Sequence, residues 1–264
     1  MLVQVRGAGD IATGVALRLW RAGMNIIMVD LPVPTSIRRT ACFSEAIRLG
    51  SYTVEGVEGV FAEDEASALE IARSRKIAVM ADPTCQSVWR TKPAVLVDCV
   101  LAKKNLGTTR DMAPLVIGVG PGFCAGEDVD LCVETKRGHY MGRVIYEGSP
   151  IANTGIPGNV GGYSAERVLR APKDGIFKPV KEIGDIVVAG EVAAYVDGEP
   201  MLCTIDGVLR GLLQEGVEVF AGMKSGDIDP RCEVAHCYCS SDKAIAVGGG
   251  VLEAILNTTG VLAG

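Results

Sequence analysis

Hydrophobic and polar positions alternate along the N-terminal part of the chain in a way that predicts strands and helices in turn. Short aliphatic runs, typical of buried parallel strands, occur at residues 2–6, 25–30, 77–82 and 94–100. Between the first two runs, Ile11, Val15 and Leu19 recur at helical spacing, and Gly23 marks the end of that helix. The pattern predicts an α/β domain built on a parallel sheet.

The turn between the first strand and the first helix is rich in glycine. Residues 7–12 read GAGDIA, a G-x-G-x-x-A spacing, in a strand–turn–helix context. Such a turn brings backbone N–H groups and the positive end of a helix dipole towards an anion such as a diphosphate. Asp30 ends the second strand at the position where an acid accepts ribose hydroxyls. The predicted nucleotide-binding residues are therefore Gly7, Gly9, Asp10, Ile11, Ala12 and Asp30.

The same residues also have a purely structural interpretation. In it, Gly7 and Gly9 only permit a tight turn, and Asp30 only caps its strand. Asp82 and Asp98 end two further strands, so they are candidate site residues by position, although each also fits as a cap.

The middle of the chain contains two further candidate loops. Four glycines fall between residues 118 and 126, where backbone amides could line a flat or anionic ligand, or simply form an irregular turn. Cys124 lies in that loop beside two acids, which disfavour its thiolate. The segment 136–140, KRGHY, is the one cluster that joins basic side chains to a histidine, and with the glycine-rich segment 151–162 it is a candidate substrate loop.

An internal repeat follows. Shifted by 32 residues, the segment that starts DGIFK at Asp174 aligns with the segment that starts DGVLR at Asp206, and the later glycines align as well. Short strands duplicated in this way resemble the biotinyl/lipoyl-type barrel-sandwich fold. That fold carries its cofactor on a lysine between the two halves, whereas the junction here, residues 197–201, has none. A scaffold or interaction surface is the expected role of this module.

Composition narrows the classes of function. Hydrophobic residues make up 48% and charged residues 22% of the 264 residues, which excludes a disordered chain. A net charge of −6 gives no basic footprint for nucleic acid or for an anionic membrane. No apolar run approaches the length of a membrane span.

Cysteine is frequent, at nine residues, but the number is odd and the chain opens directly with a strand-like segment. Reduced thiols in a cytoplasmic protein are the expected state. Two histidines are too few for a multi-histidine metal site. Four soft ligands, Cys232, His236, Cys237 and Cys239, do lie close together, but their C-x3-H-C-x-C spacing is unusual for zinc, and no metal site is predicted.

Several motifs in a fixed order carry a family resemblance. They are GAGDIATGVALRLWRAG, VETKRGHYMGRVI, NTGIPG, the duplicated segment, SGDIDPR and SDKAIAVGGGVLEAI. Over essentially the whole chain they resemble the selenium-dependent molybdenum hydroxylase accessory proteins of the YqeB type. The N-terminal part is also similar to the Rossmann-like domain of XdhC-type factors, which handle molybdenum cofactor before its insertion. The resemblance implies a maturation factor and assigns no catalytic residue.

Together these observations predict a Rossmann-like parallel-sheet domain at residues 1–112. They predict a C-terminal region at 113–264, with a barrel-sandwich module near 172–228 and a terminal helix. The expected function is maturation of a selenium-dependent molybdenum hydroxylase client. NAD(P) and molybdopterin cytosine dinucleotide are the candidate ligands, and a homo-oligomer is compatible with the sequence. The alternatives are an NAD(P)-dependent oxidoreductase and a non-enzymatic scaffold.

Overall fold

The computed structural model describes residues 1–155 and 157–260. The chain divides into two compact units. Unit 1 comprises Met1–Pro34, Phe43–Thr154 and Ser240–Gly264, and unit 2 comprises Thr35–Cys42 and Gly155–Cys239. These units differ from the predicted ranges 1–112 and 113–264, because strands that follow residue 113 pair with the first sheet and the last helix packs on the first one.

Unit 1 is built on one nine-stranded sheet. Its strands are β1 (Leu2–Arg6), β2 (Asn25–Asp30), β3 (Ser51–Val54), β4 (Val57–Phe61), β5 (Ile77–Ala81), β6 (Val95–Asp98), β7 (Leu115–Val119), β8 (Leu131–Val133) and β9 (Val144–Ile145). They lie in the order β3-β4-β5-β2-β1-β6-β7-β8-β9. The pairs from β4 to β8 are parallel, and the two edge pairs, β3 with β4 and β8 with β9, are antiparallel.

The predicted fold class, a Rossmann-like parallel sheet with a barrel-sandwich module, is therefore wrong. The sheet is mixed and larger than predicted. At one edge the chain reverses at Glu55 and Gly56, whose φ angles of 49° and 78° form a two-residue hairpin turn. That turn folds residues 51–61 into the β3–β4 hairpin, and at the opposite edge β9 returns antiparallel to β8.

Five helices complete the unit: α1 (Asp10–Arg21), α2 (Glu45–Leu49), α3 (Glu65–Arg73), α4 (Val88–Thr91) and α5 (Asp242–Thr259). The side chain of Ser241 caps α5 by accepting the N–H of Ala244 at 3.2 Å. Glycines allow α1 and α5 to pack closely, since a Cβ on Gly14 would lie 2.5 Å from the Cβ of Ala244 and one on Gly248 would lie 2.9 Å from the Gly14 carbonyl oxygen. This contact offsets the helix-disfavouring effect of the triple glycine, about 1 kcal/mol for each residue.

Unit 2 is all β in its regular structure. Its strands are β10 (Val168–Arg170), β11 (Gly175–Pro179), β12 (Ile186–Val187), β13 (Val192–Val196), β14 (Glu199–Leu202), β15 (Gly207–Leu212), β16 (Glu218–Val219) and β17 (Lys224–Asp229). They form two antiparallel sheets, β10-β17-β15-β12 and β14-β13-β11-β16. The starts of β11, β12 and β13 recur 32 residues later as the starts of β15, β16 and β17, and each half supplies a strand to the other half's sheet.

Buried charges inside unit 2 are paired. Asp227 contacts Arg167 and Arg210, while Asp229 contacts Arg210 at 3.0 Å and Arg231 at 2.6 Å. Burial opposes the ionisation of Asp229, but hydrogen bonds from Arg231 and the charges of both arginines outweigh it and lower its pKa to about 2. The cluster therefore stays ionised at neutral pH and ties β15 to β17.

Among the described residues, no helix combines the length and the apolar character that a bilayer crossing requires.

Candidate functional site

The carboxyl ends of the parallel strands define the candidate site. From β1 the chain moves outward to β2 and later β5 on one side, and then to β6, β7 and β8 on the other. The loops that leave β1 and β6 consequently diverge, which is where open α/β sheets form ligand crevices. The strand-end residues at this edge include Arg6, Asp30 and Asp98, all from neighbouring strands.

The glycine turn enters α1 directly from β1. Gly7 has a φ of +100°, and its N–H donates to the carbonyl of Val29 at 2.7 Å. A Cβ at Gly7 would lie 3.0 Å from the carbonyl oxygen of Cys99, so only glycine fits between the adjacent strands. Gly9 is the extended N-cap residue of α1, and no described side chain caps this helix end. The turn thus presents helix N–H groups at the carboxyl edge, as the sequence predicted for residues 7–12.

Asp30 holds that turn in place. One carboxylate oxygen accepts the N–H of Ala8 at 2.6 Å, and the other accepts the N–H of Leu31 at 2.7 Å. Burial raises the pKa of Asp30, and the two backbone hydrogen bonds partly oppose that shift. Each oxygen has a second lone pair, so the carboxylate retains acceptor capacity for a ligand hydroxyl. The structure brings Asp30 and the turn together, but through the backbone amide of Ala8.

A buried ion pair stands beside the turn. In the sheet register Arg6 of β1 lies opposite Asp98 of β6, and their side chains are 3.3 Å apart with only 5% and 2% exposed. The hydroxyl of Thr108 joins them, since it donates to Asp98 at 2.6 Å and accepts from Arg6 at 2.8 Å. The guanidinium also donates to the carbonyl of Leu106 at 3.0 Å. This pair fixes the loop after β6 to the central strand.

Asp82 has a structural role as well. Its carboxylate accepts the N–H of Ser87 at 2.7 Å, and the hydroxyl of Ser87 accepts from the side chain of Gln4 at 3.0 Å. Burial opposes ionisation of Asp82, but the hydrogen bonds led by Ser87 lower its pKa. Two of the acids predicted by position, Asp82 and Asp98, therefore organise loops at the edge of the site.

The loop that contains KRGHY is anchored at its base. Glu134 follows β8 and is buried, and one of its oxygens accepts the N–H groups of Thr135 and Lys136, each at 2.7 Å. Its second oxygen accepts the N–H of Ile151 at 2.8 Å. Sequence reasoning missed Glu134, although it is a single acid directly after an aliphatic strand. It places the exposed residues 136–140 at the same sheet edge as the glycine turn.

The cysteines lie in different environments. Cys124 is partly exposed and its N–H donates to Asp128 at 3.0 Å, while Cys232 is exposed and Cys237 is buried. The backbone of the 232–239 segment is held by Arg38, which donates to the carbonyls of His236 and Cys239 at 2.9 Å. Over residues 1–155 and 157–260, no group of three or more His, Cys, Asp or Glu side chains could hold a metal ion.

Fold and site together define an open α/β protein with a glycine-rich turn at the reversal of its strand order and an additional all-β unit. The chain is 48% identical over 255 residues to "Uncharacterized protein YqeB" of Escherichia coli (strain K12). The match covers 97% of this chain and 47% of that protein, so the chain spans about half the length of its curated relative. No family model matches the chain.

Two solved structures were also found by comparison. A succinylglutamate desuccinylase/aspartoacylase of Rhodobacter sphaeroides is 26% identical over 24% of this chain and 22% of that one, with a TM-score of 0.22. An aspartoacylase family protein of Mesorhizobium loti is 10% identical over 86% and 84% of the two chains, with a TM-score of 0.29. Neither structure supports the Rossmann-like class predicted from the sequence, and the low TM-scores transfer no activity.

Proposed function

We propose that this chain binds a nucleotide-type ligand at the glycine turn of unit 1 and acts in the maturation of selenium-dependent molybdenum hydroxylases. The observation that carries the ligand proposal is the turn itself. It enters α1 at the reversal of the strand order, and Asp30 fixes its backbone through the N–H of Ala8. Fixed N–H groups at a helix start suit a phosphate oxygen.

The residues fit such a group in one respect and oppose it in another. Gly9 carries no side chain to obstruct the helix end, and no described side chain caps it. Asp10 and Asp30, however, place two carboxyl groups beside the turn. Any phosphate bound there requires positive charge from other parts of the edge.

The maturation role is supported by the resemblance to accessory proteins of the YqeB type and by the similarity to YqeB over nearly the whole chain. NAD(P) and molybdopterin cytosine dinucleotide are the candidate ligands, and a selenium-dependent molybdenum hydroxylase is the proposed client. Unit 2 is proposed to contact that client, because its repeat lacks the lysine that a cofactor-carrying module uses.

Calorimetric titration tests the ligand proposal. Purified protein is titrated with NAD, NADP, CTP and molybdopterin cytosine dinucleotide, and at least one is expected to bind. Gly9→Trp fills the helix start and is expected to abolish that binding. Arg73→Trp, at the exposed end of α3, is the matched control and is expected to bind normally. If no ligand binds the native protein, the nucleotide proposal fails and the scaffold alternative gains support.

Two further measurements separate the remaining functions. Turnover of NADH or NADPH with an added substrate would favour the oxidoreductase alternative. Deletion of the gene, followed by metal and selenium analysis of purified hydroxylases, tests the client role. A normal molybdenum and selenium content in the deletion strain would refute it.

A further inference from the structure

Lysines are concentrated on the loops beside the glycine turn. Lys103 and Lys104 lie in the loop after β6, and Lys136 lies in the loop after β8. All three residues are exposed. We call these three residues the lysine rim. They stand out because the whole chain carries a net charge of −6.

Glycine contacts hold the rim loops together. A Cβ on Gly122, in the loop after β7, would lie 2.6 Å from the backbone nitrogen of Lys104. A Cβ on Gly120 would lie 2.8 Å from the hydroxyl oxygen of Thr135, the residue before Lys136. The loop after β7 therefore touches both lysine-bearing loops, and the three loops form one continuous surface at the carboxyl edge.

The carboxylates at this edge are already engaged. Asp98 pairs with Arg6, and Glu134 accepts three backbone N–H groups. Asp242, at the start of α5, forms two hydrogen bonds with Arg137, at 2.8 and 3.0 Å. Their negative charge is thus directed at fixed partners, so the rim keeps a positive character.

Strand spacing gives the separation between the rim and the turn. Neighbouring strands lie about 4.8 Å apart, so β6 is one spacing from β1 and β8 is three, about 14 Å. A single phosphate at the turn cannot contact the whole rim. A ligand with two or more phosphates, extending from the turn over β6 and β7, can contact both.

We infer that the lysine rim binds further phosphate of the ligand and supplies the positive charge that Asp10 and Asp30 deny at the turn. The ligand class is a nucleoside di- or triphosphate, or a dinucleotide, rather than a nucleoside monophosphate. This inference rests on the proposed nucleotide site and specifies its ligand. Charge-assisted hydrogen bonds from lysines to phosphate are the physical basis of the preference.

The test compares AMP, ADP and ATP by calorimetry on the full chain. The rim variant is Lys103→Gln, Lys104→Gln and Lys136→Gln, and the matched control replaces three exposed lysines elsewhere, Lys76, Lys92 and Lys178, with glutamine. All six positions are exposed, so both variants should fold, which circular dichroism checks. We expect the native protein to bind ADP and ATP more tightly than AMP.

The rim variant should lose about tenfold or more in affinity for ADP and ATP, with AMP binding unchanged and a shallower salt dependence. The control variant should bind like the native protein. Equal ADP affinity in the native and rim proteins would overturn the rim inference while leaving the nucleotide site intact. If neither these three nucleotides nor the four ligands of the first titration bind the native protein, the proposed function itself fails.

Discussion

Removing the charge of Asp98 should strongly destabilise unit 1. Asp98→Asn keeps the size of the side chain, but it leaves the guanidinium of Arg6 without a carboxylate, although both side chains are almost fully buried. The new amide NH2 is a donor and would face the donors of Arg6 or the hydroxyl of Thr108. The substitution therefore leaves a buried charge with only neutral partners.

The structure sets the expected magnitude. Breaking a buried ion pair by removing one partner costs about 3–5 kcal/mol. Arg6 keeps its hydrogen bonds to Thr108 and Leu106, so the lower end, about 3 kcal/mol, is expected. Glu58→Gln is the control, because its ion pair with Lys76 is 42% and 46% exposed and should contribute less than about 1 kcal/mol.

Urea unfolding followed by tryptophan fluorescence is the assay. The only two tryptophans, Trp20 and Trp89, both lie in unit 1, so the signal reports on the unit that contains Asp98. For a urea dependence of about 2 kcal/mol per molar, a 3 kcal/mol loss lowers the midpoint by about 1.5 M. A loss no larger than that of Glu58→Gln would refute the reasoning, since it would mean that the buried pair is energetically equivalent to a surface pair.

Three further outcomes are expected. Gly250→Ala should destabilise unit 1 by about 1–3 kcal/mol, because the new Cβ would overlap the Gly142 carbonyl, whereas Gly249→Ala in the same helix meets open space and should stabilise it by up to about 1 kcal/mol; urea midpoints compare the two, and equal midpoints would contradict the packing. Asp30 has a pKa raised by burial, so its contribution to stability is complete below pH 3.8 and is lost as the pH rises through the raised pKa; Asp30→Asn should remove that decline in a pH series of unfolding curves, and an unaltered pH dependence would argue against it. Ellman's reagent should label exposed Cys232 rapidly in the folded protein, but not Cys85, whose pKa burial raises to about 12; a rapid phase that persists in Cys232→Ser would contradict this assignment.

The central strands could be predicted because their signal is local. The aliphatic runs at 2–6 and 25–30 match β1 and β2 in the structure, since glycine or an acid bounds each run. The helix start after the glycine turn was predicted for the same reason, and α1 begins at Asp10.

The β3–β4 hairpin was not predicted because its turn uses Glu55 and Gly56 rather than the Asn-Gly or Asp-Gly pairs that mark such turns. The Arg6–Asp98 pair depends on the register of two strands that are 92 residues apart in the sequence. The role of Asp30 depends on a backbone N–H that no sequence pattern displays. Long-range pairing of this kind leaves no local trace, and for that reason the sequence placed the domain boundary near residue 112.

The position of α5 in unit 1 has a consequence for synthesis of the chain on the ribosome. Helix α5 completes the core against α1, yet the whole segment Gly155–Cys239 is translated between β9 and α5. The strands of unit 2 can pair while unit 1 still lacks its final helix. Until residues 242–259 emerge, the face of α1 that carries Gly14 has no partner helix, and the nascent chain presents that face as a binding surface for chaperones.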